Sequence, residues 1–228
     1  MDPHLRLLQE HGLAEFQLLQ KELISTLLTR IPYNLVETLH SEECYDEWGV
    51  RADGYRPEVL HPVRAFCIDC FTSDAPVLDV LLVERGEPDP FYLSPRSEIR
   101  GGARLRRSVP NADELAEALI RSGRQVTRMR PETLDLRDQI RAFSRAKVVV
   151  AQHGAALSNV LWMASGSRVV EIIPRKKDPR DHFSRIAEIV GATYVFVHQD
   201  GNHAPVKPQT LLEAVNVHPS ESTWISGA

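Results

Sequence analysis

The chain has 228 residues, 43% of them hydrophobic and 25% charged, with a formal net charge of −4. That length can bury one sizeable core, and the slight excess of acid gives no electrostatic case for nucleic acid. No stretch approaches the roughly 20 apolar residues of a membrane span. Met1-Asp2-Pro3-His4 opens no basic-then-apolar signal, so the chain as written is expected in the cytoplasm.

The first predicted element is a helix from Ala14 to about Arg30. Phe16, Leu19, Leu23 and Leu27 form an apolar stripe on it, with Ile24 and Leu28 alongside, and Pro32 ends it. Its opposite face carries Glu15, Glu22 and few cations, so core packing, or packing against a second copy or a partner chain, is expected rather than a membrane surface. Tyr33 to Pro62 has no clear period and reads as irregular. His61 to Phe71 (HPVRAFCIDCF) reads as a strand or strand pair. Cys67 and Cys70 have CxxC spacing, but no second CxxC or His pair completes a zinc site; buried thiols are expected.

From Val77 the α/β alternation becomes regular. Val77 to Val83 is a buried strand, and Gly86 to Arg106, with its prolines and Gly101-Gly102, is a loop. Asn111 with Glu114 three residues on predicts a capping box, and Gly123 stops that helix. Gln125 to Met129 is a strand. Leu134 to Ala146 is a helix with Leu136, Ile140 and Phe143 inward. Val148 to Ala151, Val169 to Ile173 and Thr193 to Val197 are strands, separated by helices at Ala155 to Met163 and Asp181 to Val190. The segment after His198 is loop-like, with a short helix near Thr210 to Ala214. The expected fold is α/β: a Rossmann-like parallel sheet covered by helices on both faces. The expected organisation is a short N-terminal region (1–75), the sheet domain (76–200) and a C-terminal tail (201–228).

The most informative segment is Lys147 to Pro174, KVVVAQHGAALSNVLWMASGSRVVEIIP. His153-Gly154-Ala155 falls at a strand's carboxyl end, where open α/β sheets bind ligands, and opens a helix whose free N–H groups favour anions. Glu171 is the single charge in an apolar strand and is costly there unless paired. Its partner is a ligand hydroxyl or a cation, Arg168 or Arg175.

His153, Gly154, Ala155, Leu157, Asn159, Glu171 and Pro174 together resemble the HGAGLTN-like turn and following E-(L/I/V)-x-P strand of glycosyltransferase family 61. RRSVPNADELAEAL (Arg106 to Leu119) is similar to the family's arginine followed by N-x-x-E-L, and DQIRAFSRAKVVV (Asp138 to Val150) to its Q-(I/V)-x-x-F run. The resemblance covers roughly Leu78 to Val197. The chain departs from the pattern at Ala156, where Gly is common, and in the long insert between Arg85 and Arg107.

The resemblance implies the donor domain of a GT-B glycosyltransferase with a shortened N-terminal part, transferring a sugar with inversion from a nucleotide sugar, UDP-linked, to a hydroxyl on a glycan or protein. N-acetylglucosamine and xylose are the sugars it suggests. It implies donor-binding roles for Arg85, Arg107, Asn111, His153, Gly154, Ala155, Asn159 and Glu171, with Glu171 on the ribose hydroxyls; in another register Arg96 replaces Arg85. Arginine suits a diphosphate because its planar fork binds bidentately and stays charged. Asn159 either holds the turn or touches ligand. No metal is expected, since arginines and a helix N-terminus meet the diphosphate and the donor unit has no D-x-D at a strand end. The catalytic base is unassigned; Asp53, His61 and Asp69 are merely the polar residues of the N-terminal region.

Eukaryotic family members are typically anchored in the secretory pathway, the expected location if the N-terminus is truncated. The alternatives are an inactive nucleotide-sugar-binding remnant or a subunit whose acceptor site comes from another chain. A hydrolase using His153 is disfavoured by the lack of a G-x-S-x-G elbow.

Overall fold

The computed structural model describes residues 45–46, 49–50, 57–71, 76–88, 93, 103–174 and 182–216. The helix expected over Ala14 to Arg30, Asp53 and Arg96 lie outside these residues. Five strands form one sheet: β1 (Leu78–Val83), β2 (Val126–Met129), β3 (Ala146–Gln152), β4 (Arg168–Pro174) and β5 (Thr193–Gln199). Their order is β2-β1-β3-β4-β5, and every pairing is parallel. A two-residue ladder, Tyr45–Asp46 with Gly49–Val50, stands apart from it.

Buried strands alternate their side chains between two cores. Leu81, Val83, Val149, Ala151 and Val169 face one core; Val80, Leu82, Val148, Val150 and Val170 face the other. Helices α1 (Pro57–Phe71), α3 (Leu136–Arg145) and α4 (His182–Val190), with a 3₁₀ segment Ala155–Trp162, cover the first face. Helices α2 (Ala112–Arg121) and α5 (Pro208–Asn216) cover the second. The expected doubly covered parallel sheet is therefore present. The two cores also reach beyond 76–200, through α1 on one side and α5 on the other.

The 61–71 segment is the main correction. It is not a strand but most of α1, which begins at Pro57, where a proline's missing N–H costs nothing. Its buried residues are Leu60, Val63, Cys67 and Phe71, spaced three, four and four apart, which is a helical face. Each such side chain, fully buried, contributes about 1.5–3 kcal/mol. Pro62, within the helix, and the apolar cluster Val63 to Ile68 disguise that period. Burial and the neighbouring Cys70 push the Cys67 thiol up to about 12, so it is an inert core group.

Smaller differences follow from local chemistry. The segment after Gly154 is 3₁₀ rather than α-helical. In α3, Asp135 caps the Asp138 N–H at 2.8 Å, and Ile140 and Phe143 are buried as expected, while Leu136 at the first helical position is 45% exposed. Asn111 sits at the α2 N-cap position but caps nothing with its side chain. Its amide instead brackets Val206, donating to the carbonyl (2.8 Å) and accepting from the N–H (3.0 Å), and reaches Glu114 at 2.8 Å. This ties the lead-in of α5 onto the start of α2. Gly123 ends α2 with φ +88, as its position predicts.

Candidate functional site

In this strand order the chain leaves β1 outward to β2 and returns past it to β3, so the topological switch point lies between β1 and β3. Ligands of doubly wound sheets bind at the carboxyl ends of the strands there. A crevice of about 420 Å³ opens at that place. Its walls include Val83 to Arg85 after β1, Ala151 and Gln152 at the end of β3, Ile172 of β4, and Ser108 to Pro110 leading into α2.

Arg85 and Arg107, separated by the long insert, converge on one atom. Both guanidinium groups donate to the carbonyl oxygen of His153, Arg107 at 2.9 Å. Gly154 makes this possible by what it lacks: a Cβ there would stand 1.9 Å from Arg85 Nη2. Its backbone is extended, with φ 161 and ψ 178, so the need for glycine is close approach rather than an unusual dihedral. Burial, then the charges of Arg107 and Arg106, pull the Arg85 guanidinium down to about 10, against an opposing pull from Glu132. Arg107 is lowered by burial and by Arg106, against a pull from Glu171. At neutral pH both stay charged, and the cations crowd one another. Three further arginines line the crevice and pair with carboxylates: Arg104 with Glu87 at 2.5 Å, Arg128 with Asp113 at 2.6 Å and with Glu84, and Arg130 with Glu84 at 3.5 Å.

His153 takes part through its backbone; its ring is turned into the protein. Its N–H continues the ladder to Ile172 O at 2.8 Å. The imidazole is 5% exposed, with Nδ1 2.5 Å from Glu171 Oε1 and the ring edge-on to Phe183. Glu171 is fully buried, and Tyr194 donates to its other oxygen at 3.2 Å. The ribose role expected for Glu171 therefore meets a carboxylate enclosed by His153 and Tyr194. The alternative partner Arg168 donates to Val215 O instead, and Arg175 lies outside the described residues.

Asn159 is bonded within the turn and to α3. Its amide donates to Gln139 (3.0 Å) and to Ala156 O (3.2 Å), and its oxygen accepts from Trp162 Nε1 at 3.1 Å. Gln139 passes the connection on to Pro131 O and Leu134 O. Ala155 is exposed and Gly154 half-buried at the mouth of the turn. His61 and Asp69 lie on α1, whose other contacts are with the opposite layer.

Sequence reasoning missed Gln152 and Gln199, which join across the ends of β3 and β5: Gln152 Nε2 donates to Gln199 Oε1 at 2.8 Å. Gln199, fully buried, donates onward to Ser108 O at 2.7 Å and to Ala204 O at 2.5 Å. The only sequence signal was a polar residue closing each apolar strand. Ser108 Oγ meets His203 Nδ1 at 3.0 Å at the crevice rim.

A parallel doubly wound sheet with a cation-lined crevice at its switch point defines a Rossmann-like α/β domain. Residues 50–170 match the family Glycosyltransferase 61, and the chain belongs to that family. A beta-1,2-xylosyltransferase of Arabidopsis thaliana is 26% identical over 153 residues, 62% of this chain and 27% of that protein. A xylan glycosyltransferase, MUCI21, of the same plant is 31% identical over 91 residues, 39% of this chain and 18% of that protein. The chain thus spans under a third of the length of these relatives.

Proposed function

We propose that the crevice holds the diphosphate of a nucleotide-sugar donor, and that the chain is the donor-binding part of a glycosyltransferase. The observation that carries this is the convergence of Arg85 and Arg107 on the His153 carbonyl at the switch point. Two guanidinium groups held at one neutral oxygen, beside a third arginine, gather positive charge at the crevice, and an anion bound there would offset their mutual repulsion. A departing nucleoside diphosphate gains negative charge, so cations already in place stabilise the transition state more than the bound donor. On this reading the arginines do the work of a divalent metal, and EDTA leaves binding unchanged. Gly154 admits the Arg85 head, while Glu171 and Tyr194 fix His153 and so the carbonyl on which both arginines rest.

Family membership and the two plant relatives, a xylosyltransferase and a xylan glycosyltransferase, support transfer of a sugar; on our reading the donor is a UDP-sugar, the acceptor is a hydroxyl of a glycan or protein, and transfer proceeds with inversion. The test is a calorimetric titration of the purified chain with UDP, GDP and UDP-sugars, with and without EDTA. Saturable binding that Arg85→Ala weakens at least tenfold is expected. A folded protein that binds none of these ligands refutes the reading.

A second reading is that this chain binds donor but relies on another polypeptide for the acceptor and the base. Donor binding without transfer or donor hydrolysis would select it.

A further inference from the structure

Gln152 lines the crevice with its hydrogen bonding half made. It lies at the end of β3, one strand from Arg85, and is 5% exposed. Its amide orientation follows from its neighbours. Gln199 gives its NH₂ to two carbonyls, Ser108 O and Ala204 O, so its oxygen must face Gln152. Gln152 must then present its own NH₂ to that oxygen, at 2.8 Å. Reversing it would set two carbonyl oxygens against each other. The Gln152 carbonyl, Oε1, is thereby held in place, buried and without a hydrogen-bond partner. Buried acceptors are nearly always satisfied, and an orphan at a binding crevice calls for a specific cause.

We propose that Oε1 of Gln152 accepts a hydrogen bond from the nucleoside half of the donor, making Gln152 a specificity-determining residue. This rests on the reading of the crevice as the donor site. The crevice wall that Gln152 joins includes the apolar residues Leu82, Val109, Pro110, Leu115, Ala151 and Ile172, which suit a nucleoside face, with the diphosphate lying over Arg85. An acceptor fixed in such a wall selects for an uncharged N–H or O–H. A site built to satisfy a ligand donor rejects the analogue lacking it, because the site's own polar atom is then left unpaired. Two kinds of group on a nucleoside carry that chemistry: a base N–H, from the imino group of uracil or guanine or the amino group of guanine, and the ribose hydroxyls.

The experiment titrates the full chain with whichever of UDP and GDP binds, with two analogues of it (one whose base N–H groups are all methylated or absent, one 2′,3′-dideoxy), and with inorganic pyrophosphate. One of the two analogues is expected to bind at least tenfold more weakly than the parent nucleotide, and which one does identifies the group that Oε1 meets. In Gln152→Met that discrimination should fall below threefold while pyrophosphate affinity is unchanged. Parent and both analogues binding alike to the wild-type chain would overturn the proposal, whether or not the variant folds. So would discrimination that persists in a folded Gln152→Met. Absence of binding by both nucleotides and pyrophosphate is the separate failure of the donor-site reading, and the proposal falls with it.

Discussion

Gly154→Ala tests the arginine site with the smallest possible change. The new Cβ would lie 1.9 Å from Arg85 Nη2, where ordinary contact begins near 3.4 Å. The guanidinium must therefore retreat by about 1.5 Å, which takes it beyond hydrogen-bond range of the His153 carbonyl. The backbone offers no objection, because φ 161 with ψ 178 is open to alanine. The atom displaced is the far end of a flexible side chain, so stability should change by less than about 1 kcal/mol. Donor binding should suffer instead. A hydrogen bond to a charged group is worth about 1.5–3 kcal/mol, so UDP affinity should fall roughly 10- to 100-fold. Arg85→Met should produce a similar loss. Because both substitutions remove one interaction, the double variant should bind no more weakly than either single one. Calorimetry of the four proteins, with melting curves to confirm folding, reads the cycle. Additive losses, or a Gly154→Ala protein that binds like the wild type, would show that the docked Arg85 is not what meets the diphosphate.

Three further outcomes bear on the frame behind the site. Glu171→Ala removes the carboxylate shared by the buried His153 ring and the half-buried Tyr194 hydroxyl and should cost about 1–3 kcal/mol in urea unfolding, as the loss of a buried hydrogen-bond partner does; a loss well under about 1 kcal/mol would count against a bracing role for the carboxylate. Asn159→Ala leaves Trp162 Nε1 and Gln139 without their shared partner; a loss of about 1–3 kcal/mol with nucleotide affinity intact marks it as a turn holder, and a selective loss of affinity would make it a ligand contact. Cys67, buried and with its thiol pushed up to about 12, should resist iodoacetamide at pH 8, because the thiolate is the reactive form; peptide mapping should find half-buried Cys70 alkylated first, and the reverse order would mean that α1 opens readily.

The sheet was legible because its strands are short apolar runs of Val, Ile and Leu bounded by polar breaks, as in 148–151 and 169–173, a pattern that buried parallel strands share. The first helix of the described core was not. The cluster Val63, Ala65, Phe66 and Ile68 looks strand-like when taken alone, and only the wider spacing from Leu60 to Phe71 shows the helical face. Within the site, residue types and places were readable: arginines at the end of β1 and before α2, and a histidine and a glycine after β3. Their partners were not, for a physical reason. Arg85 and Arg107 bind a backbone carbonyl, which every residue has and no motif marks. Glu171 finds His153 through the parallel register of β3 and β4, where Gln152 lies beside Ile172, and sequence fixes no register between strands joined by a crossover. The same register explains the division of labour. Glu171 and the His153 ring point into the layer of α4, where Phe183 closes over them, while Gln152 and Ile172 point into the layer of α2 and line the crevice. Alternation along two adjacent strands thus separates the buried His153–Glu171 pair from Gln152 and Ile172 in the crevice wall. The His153 carbonyl, held by the arginines, joins the two sides.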